Sequence, residues 1–301
     1  RRRAWPKLLG LSARDIDDEA NEGVISKRIN ILQGDKFQYI SESQLDVIEK
    51  DLFRCHFIRK GSKRRCDYDV LDRERFKSLD HDDFVSPSTY LLKNVPATPT
   101  NILFGDIPPS SCISYFVDQE QELQRFSLGD EDSIILTSII IDVLQKFRGD
   151  LHYYQGFHNI AAVMLLNLSS ISITISVLQT IAQSHLSEAM QANFNSLKLT
   201  TEIFFPLIRI LDRPVFNFFI DAEIEPSIIL SWMITWFSHE VTNLKVASRL
   251  FDCFLSSHPL FPMYLFSSVI LLPRNRSQLL DTEPDFATIH MKISDLFKNL
   301  N

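Results

Sequence analysis

Glycine is scarce in this sequence, with 8 among 301 residues, whereas phenylalanine is abundant, with 23. Antiparallel β sandwiches need many tight turns, and tight turns draw on glycine, so this composition disfavours that class of fold. Helices that pack through aromatic side chains suit the composition better. Apolar residues make up 45% of the chain, which is sufficient for a well-developed core.

Several motifs that carry chemistry are also missing. The four cysteines show no C-x-x-C spacing, so a zinc site or a disulfide framework is not expected. The sequence lacks G-x-x-x-x-G-K-[ST] and G-x-G-x-x-G, the loops that hold nucleotide phosphates, and it lacks H-E-x-x-H and G-x-S-x-G. We therefore expect no cofactor or metal of its own, and the cysteine usage suits a reducing, cytoplasmic compartment.

Charge sets further limits. The net charge of −7 argues against general nucleic-acid binding. No Asp, Glu, Lys or Arg occurs from Leu151 to Ser187, but serines, threonines and asparagines interrupt this run, so two buried helices joined near residues 168–170 fit better than a membrane span. Because the first residue is Arg1 rather than Met, we expect the chain to be part of a longer protein.

Apolar residues recur at three- and four-residue steps, which predicts an all-α fold. In residues 44–57 the apolar stripe consists of Leu45, Ile48, Leu52 and Cys55. Further helices are predicted at 132–147, 156–168, 171–185, 193–211, 215–222, 226–237, 241–256, 263–271 and 287–300. The tryptophans at positions 5, 232 and 236 are expected to pack in the core.

One region breaks the helical pattern. Residues 60–130 are polar and contain five prolines, and we interpret them as an irregular insertion, with one helix at 68–79, within a single domain covering 1–301. Basic residues at 59–65 open the insertion. They are either a solvated loop or a contact for an acidic partner or lipid headgroups.

Two short stretches carry candidate functional residues. At about 100° per residue, Arg54 lies away from the apolar stripe and should project outward. Asp51, three residues earlier on the same flank, is within reach of an ion pair, although an ordinary surface pair is the alternative. Downstream, Tyr-Tyr-Gln-Gly at residues 153–156 places an amide and a glycine just before a predicted core helix.

Together, Ile48-x-x-Asp51-x-x-Arg54 and the stretch at 153–156 resemble the paired signatures of the TBC domain, the catalytic domain of Rab GTPase-activating proteins. Residues 2–10, 230–237 and 249–255 resemble further TBC segments in the same order. The likeness covers nearly the whole chain apart from the insertion, and it implies one elongated multi-helix domain with a groove. The sequence of residues 153–158 is most similar to that of the TBC branch anchored at the endoplasmic reticulum, which acts on early-secretory Rabs.

The resemblance implies a GTPase activator that donates residues to a GTP-bound Rab in vesicle traffic, while GTP and Mg²⁺ are carried by the partner. Arg54 would be the arginine finger, and Gln155 would orient the attacking water. Asp51 would steer Arg54 by charge-assisted hydrogen bonding.

Neighbouring residues have supporting roles in this interpretation. Tyr153 or Tyr154 would brace the loop, and Gly156 would let the GTPase backbone come near. Many family members carry Asn and then Asp at the third and fourth positions after the glutamine, where this sequence has His158 and Asn159. Because Asn159 stands where many family members carry Asp, a charge-dependent contact at position 159 is not expected to be kept.

Other functions stay open at the level of sequence. A helical module that binds a Rab without accelerating hydrolysis is one, and a purely structural helical domain is another. The branch likeness further leads us to expect a place on the cytosolic face of the endoplasmic reticulum, with membrane association through a segment beyond Asn301.

Overall fold

The computed structural model describes residues 1–12, 39–55, 57 and 130–298. All regular elements in these residues are helices, which confirms the all-α prediction. The helix predicted at 68–79 and the insertion at 60–130, apart from Asp130, lie outside the described residues.

The structure describes helices at the N-terminus, at residues 42–54 and from residue 130 onward. In chain order they are α1 (Ala4–Leu8), α2 (Glu42–Arg54), α3 (Asp130–Lys146), α4 (Phe157–Leu168), α5 (Ile171–Ser184), α6 (Asn195–Thr201), α7 (Phe204–Leu211), α8 (Arg213–Asp221), α9 (Leu230–Thr235), α10 (Leu244–Leu255), α11 (Phe261–Ile270), α12 (Pro273–Leu280) and α13 (Phe286–Lys298). A 3₁₀ turn at Pro226–Ile229 leads directly into α9.

Most predicted helices are confirmed to within a few residues, and the differences have local causes. The helix predicted at 193–211 is divided into α6 and α7, because Pro206 in the first turn of α7 has no N–H to give to the preceding turn. The apolar pattern does not predict α12, whose sequence PRNRSQLL buries only Leu279 and so shows no stripe. It also does not predict the short helix α1.

The uncharged run from Leu151 to Ser187 forms two helices that turn back on each other, as predicted. α4 ends at Leu168, Ser169 adopts a left-handed φ of 52°, and Ser170 caps α5 by accepting from the N–H of Ile173. The polar interruptions therefore serve a chain reversal. Within the described residues, no helix is both long and apolar enough to cross a membrane.

Helix α4 lies at the centre of the packing, in contact with α2, α3, α5, α9 and α10. The three tryptophans are buried, as predicted. The ring of Trp232 lies 5.0 Å from that of Phe266 and 5.7 Å from that of Phe297, measured between centroids, so aromatic contacts join α9, α11 and α13. The many phenylalanines are thus used between helices.

One carboxylate ties α1 to α10. The indole N–H of Trp5 donates to Asp252 Oδ1 at 2.8 Å, and Arg1 donates to both oxygens of Asp252 at 3.0 Å. Burial raises the pKa of Asp252, but the hydrogen bonds from Arg1 and Trp5 outweigh this effect and hold the pKa below its usual value. The ionised carboxylate is therefore the form that the fold favours.

We expect Asp252→Ala to lower the free energy of unfolding by about 1–3 kcal/mol, because the buried indole N–H of Trp5 loses its acceptor. Asp252→Asn should cost less, since an acceptor oxygen stays. The stabilisation is present above the pKa of an unfolded aspartate and is lost as pH falls through the lower folded pKa. Urea denaturation near neutral and strongly acidic pH measures both effects. Equal midpoints for Asp252→Ala and the wild type at neutral pH would contradict the assignment.

Candidate functional site

A cleft of about 780 Å³ opens where α2, the segment before α4, and α9 meet. The residues singled out from the sequence all line this cleft: Asp51, Arg54, Tyr153, Tyr154, Gln155 and Gly156. The fold thus brings together two stretches that are far apart in the chain.

Helix α2 carries Arg54 at its last position. A capping box starts the helix, because the Ser41 hydroxyl accepts from the N–H of Gln44 while the Gln44 side chain accepts from the N–H of Ser41. The apolar stripe faces the core, and Arg54 is exposed, as its register predicts. Cys55 then continues in extended conformation. Within the described residues the Arg54 guanidinium makes no hydrogen bond or ion pair, so it is available to a partner.

Gln155 is exposed in the segment between α3 and α4. Two other glutamines line the cleft, but their amides are engaged. The Gln44 amide lies 3.4 Å from His152 Nδ1, and Gln191 donates to the Ser187 carbonyl at 3.0 Å. Among the described residues Gln155 makes no such bond, which leaves its amide open to the cleft.

Tyr154 anchors the Gln155 segment to α9. Its buried ring lies 5.9 Å from that of Phe157, and its hydroxyl donates to the Ile234 carbonyl at 2.6 Å. Burial raises the pKa of Tyr154 above its usual value, so the hydroxyl keeps its proton. Gln155 therefore follows a residue that is fixed both by packing and by a hydrogen bond.

Asp51 does not hydrogen-bond to Arg54, and the expectation of direct steering is corrected here. Its carboxylate is 3% exposed and accepts from the Tyr153 O–H at 2.9 Å. Helical register places Asp51 and Arg54 on one flank, but the shorter side chain of Asp51 turns inward to a long-range partner. Burial raises the pKa of Asp51, and the hydrogen bond from Tyr153 and the charge of Arg54 oppose this rise. The link from Asp51 to Arg54 is electrostatic.

Packing inside the domain is sufficient to require glycine at position 156. Gly156 has a left-handed φ of 117°, and a Cβ built on it would lie 2.8 Å from Cγ2 of Thr235. Both observations concern the chain itself and need no approaching backbone. The role implied by the resemblance, close approach of a GTPase, is therefore not the only constraint on this position.

The N-terminus of α4 faces the cleft, since His158 and Asn159 of its first turn are among the lining residues. Helix N-termini carry a partial positive charge from their unpaired N–H groups. Together with the Arg54 guanidinium, this end of α4 makes the cleft favourable for an anionic group such as a phosphate.

A family model described as the Rab-GTPase-TBC domain matches residues 124–280, which is more than half of the chain. The chain belongs to the TBC family. TBC1 domain family member 20 from Bos taurus is 34% identical over 179 residues, which cover 60% of this chain and 42% of that protein. The Homo sapiens protein of the same name is 33% identical over 179 residues, with the same coverage of 60% and 42%.

A third relative is the GTPase-activating protein gyp10 from Schizosaccharomyces pombe, which is 32% identical over 142 residues, or 47% of this chain and 37% of that protein. The chain spans less than half the length of these relatives. The matched family region includes Gln155 and begins after Arg54. The role that the resemblance implies for Arg54 is therefore supported only by its motif and by the cleft that it shares with Gln155.

The two positions that depart from the TBC pattern are buried, and each has a partner inside the domain. His158 Nδ1 lies 3.0 Å from the Tyr153 hydroxyl, and Asn159 Oδ1 accepts from the Cys55 thiol at 3.3 Å. The Asn159 contact involves no charge, so a neutral amide is sufficient at this position. The sequence motif does not predict the Asn159 contact, because Cys55 lies on another segment, 104 residues away in the chain. What the sequence does indicate is that His158 and Asn159 lie in the first turn of a helix that begins just after Gln155, and therefore close to the candidate site.

We expect Gly156→Ala to destabilise this TBC domain by about 2–4 kcal/mol, because it combines left-handed strain with a steric overlap. Gly149→Ala is a matched control, since Gly149 has a φ of 95° but no heavy atom within 4 Å of the added Cβ. Thermal unfolding compares the two variants. Adding Thr235→Ser to Gly156→Ala removes the overlapping methyl and should restore part of the loss. Equal costs for the two alanine variants would contradict the packing argument.

Proposed function

We propose that this TBC domain is a GTPase-activating protein for a Rab-family small GTPase. It would donate Arg54 and Gln155 to a GTP-bound Rab rather than act as a standalone enzyme, and GTP and Mg²⁺ would arrive with the partner. One observation carries the proposal. An exposed arginine and an exposed amide, brought from distant segments, line one cleft and make no hydrogen bond within the described residues.

The two side chains match the two needs of phosphoryl transfer. The guanidinium of Arg54 spreads positive charge over a planar fork that fits phosphate oxygens, and it would stabilise the charge that develops during hydrolysis. The amide of Gln155 can accept a hydrogen bond from the attacking water and donate one to a phosphate oxygen, which an ionised carboxylate cannot do. The sequence holds no recognisable phosphate-binding loop, which fits a nucleotide that arrives bound to the partner.

Apolar side chains near the cleft support a protein partner. Phe53, directly before Arg54, is 69% exposed, and Phe194, which lines the cleft, is 40% exposed. Aromatic residues are enriched at protein interfaces, where they act as anchors. A cleft meant for a small molecule would gain nothing from aromatics that point to solvent.

We further propose that the partner is an early-secretory Rab and that the domain works in ER-to-Golgi traffic. This rests on the resemblance of residues 153–158 and 230–237 to the branch anchored at the endoplasmic reticulum. The same resemblance favours the cytosolic face of that membrane as the location, reached through a segment outside this chain.

A catalytically silent Rab-binding module is the second candidate. Such a module would keep the exposed aromatics Phe53 and Phe194 but would have no need for an exposed arginine and an exposed amide in one cleft. Both candidates would bind a GTP-loaded Rab, but only the GTPase activator would accelerate the release of phosphate from it.

We expect Arg54→Ala to lower stimulated GTP hydrolysis by about 10³–10⁵-fold, the range for arginine fingers in general. Gln155→Ala should also remove most stimulation. Arg54→Lys should restore little, because an ammonium lacks the planar fork. Phosphate release from a panel of GTP-loaded Rabs, early-secretory members included, measures these effects.

Matched controls are available on the same chain. Arg274→Ala removes an exposed arginine away from the cleft, and Gln191→Ala removes a cleft amide that is already engaged. Both should retain activity close to the wild type. Binding of GTP-loaded Rab with no acceleration by the wild type would support the silent module instead.

A further inference from the structure

A buried polar cluster lies beneath Arg54 and Gln155. It consists of Asp51 on α2, Tyr153 in the segment before α4, and His158 in the first turn of α4. Asp51 is 3% exposed and His158 is 5% exposed. The Tyr153 hydroxyl lies 2.9 Å from Asp51 Oδ2 and 3.0 Å from His158 Nδ1, and the last two atoms are 3.7 Å apart. The phenol therefore bridges the other two side chains.

The proton count in this cluster assigns a donor. Tyr153 has one O–H, and it donates that proton to the Asp51 carboxylate. The contact with His158 Nδ1 can then be a hydrogen bond only if Nδ1 carries a proton and the phenol oxygen accepts it. If Nδ1 lacked a proton, it would compete with Asp51 for the single proton of Tyr153.

We propose that His158 is a positioning residue: by donating from Nδ1 to Tyr153, it directs the proton of Tyr153 to Asp51 and so holds the end of α2 against the segment that carries Gln155. This inference rests on the proposed function. It adds a residue that acts through the geometry of Arg54 and Gln155.

The location of the cluster explains why its bonds matter to the cleft. Asp51 lies one turn before Arg54, while Tyr153 and His158 stand on either side of Gln155. The hydrogen bond from Tyr153 to Asp51 therefore joins the two segments whose side chains must meet one partner, and the contact of Tyr153 with His158 sets the direction of its proton. A misplacement of about 1 Å can cost about 10² in rate when a reaction depends on positioning.

The test compares His158→Leu with His158→Asn. The Asn amide nitrogen can take the place of Nδ1 as a donor, whereas Leu has a similar size and no donor. We expect His158→Leu to lower kcat for stimulated hydrolysis by about 10²-fold with KM for the GTPase nearly unchanged. His158→Asn should stay within a few-fold of the wild type. Equal rates for Leu and wild type, or equal losses for Leu and Asn, would overturn the proposal.

A double variant separates positioning from general damage. In the Arg54→Ala background, His158→Leu should cause little further loss, because the geometry it protects no longer has an arginine to place. A further loss of the same factor in that background would show that His158 acts independently of Arg54, which is contrary to the proposal.

A measurement without any GTPase keeps the inference separable from the proposed function. Nitrogen NMR of protein labelled in its imidazole rings reports which nitrogen of His158 carries the proton, and we expect Nδ1 to be protonated. A neutral ring with the proton on Nε2 alone would overturn the proposal, and this result decides the matter if His158→Leu fails to fold. Absence of stimulation by the wild type would instead count against the proposed function.

Discussion

The hydrogen bond from Tyr153 to Asp51 is the interaction on which the geometry of the cleft depends. It joins two elements that are far apart in the chain, and its acceptor, Asp51, is almost fully buried. A hydrogen bond to a buried carboxylate is stronger than one between neutral groups, and its loss leaves a desolvated charge without a partner. The two segments are consequently held at one spacing rather than over a range of spacings.

This arrangement separates support from contact. The side chains that hold the cleft together are buried or half-buried and fully engaged, whereas those assigned to a partner are exposed and make no bonds within the described residues. Mobile side chains on fixed backbone lose less freedom on binding than side chains on a mobile loop, because the backbone entropy is already lost in folding. The cleft thus places its reactive groups accurately while its own surface stays open.

Local sequence patterns predict a large part of this structure. The three- and four-residue spacing predicts the helices and the outward direction of Arg54, and the Ser-Ser pair near residue 169 predicts the turn between α4 and α5. The motif at 153–156 leads to the segment that carries Gln155. These features depend on neighbours within a few residues, which is the range over which helical periodicity carries information.

The remaining features depend on partners that periodicity does not register. Asp51 turns to Tyr153 rather than to Arg54, and Gly156 is needed because Thr235 packs on it. Cys55 finds its acceptor in Asn159. Each pair lies on separate elements, so its contact exists only once the helices have packed. The position of a residue along a helix predicts the direction of its side chain. Which neighbour that side chain contacts depends on how the helices pack.

The chain reversal at Ser169 and Ser170 has a consequence for biogenesis. While the polypeptide is still being made, the stretch from Leu151 to Ser187 offers a long face without a formal charge to any factor that captures apolar segments. Once the serines close the turn, α4 and α5 pack on each other, and the contacts of α4 with α2, α3, α9 and α10 bury the rest of its apolar surface. Ser169 and Ser170, which form the turn, therefore limit how long the nascent chain exposes an apolar segment that could aggregate or be bound by such a factor.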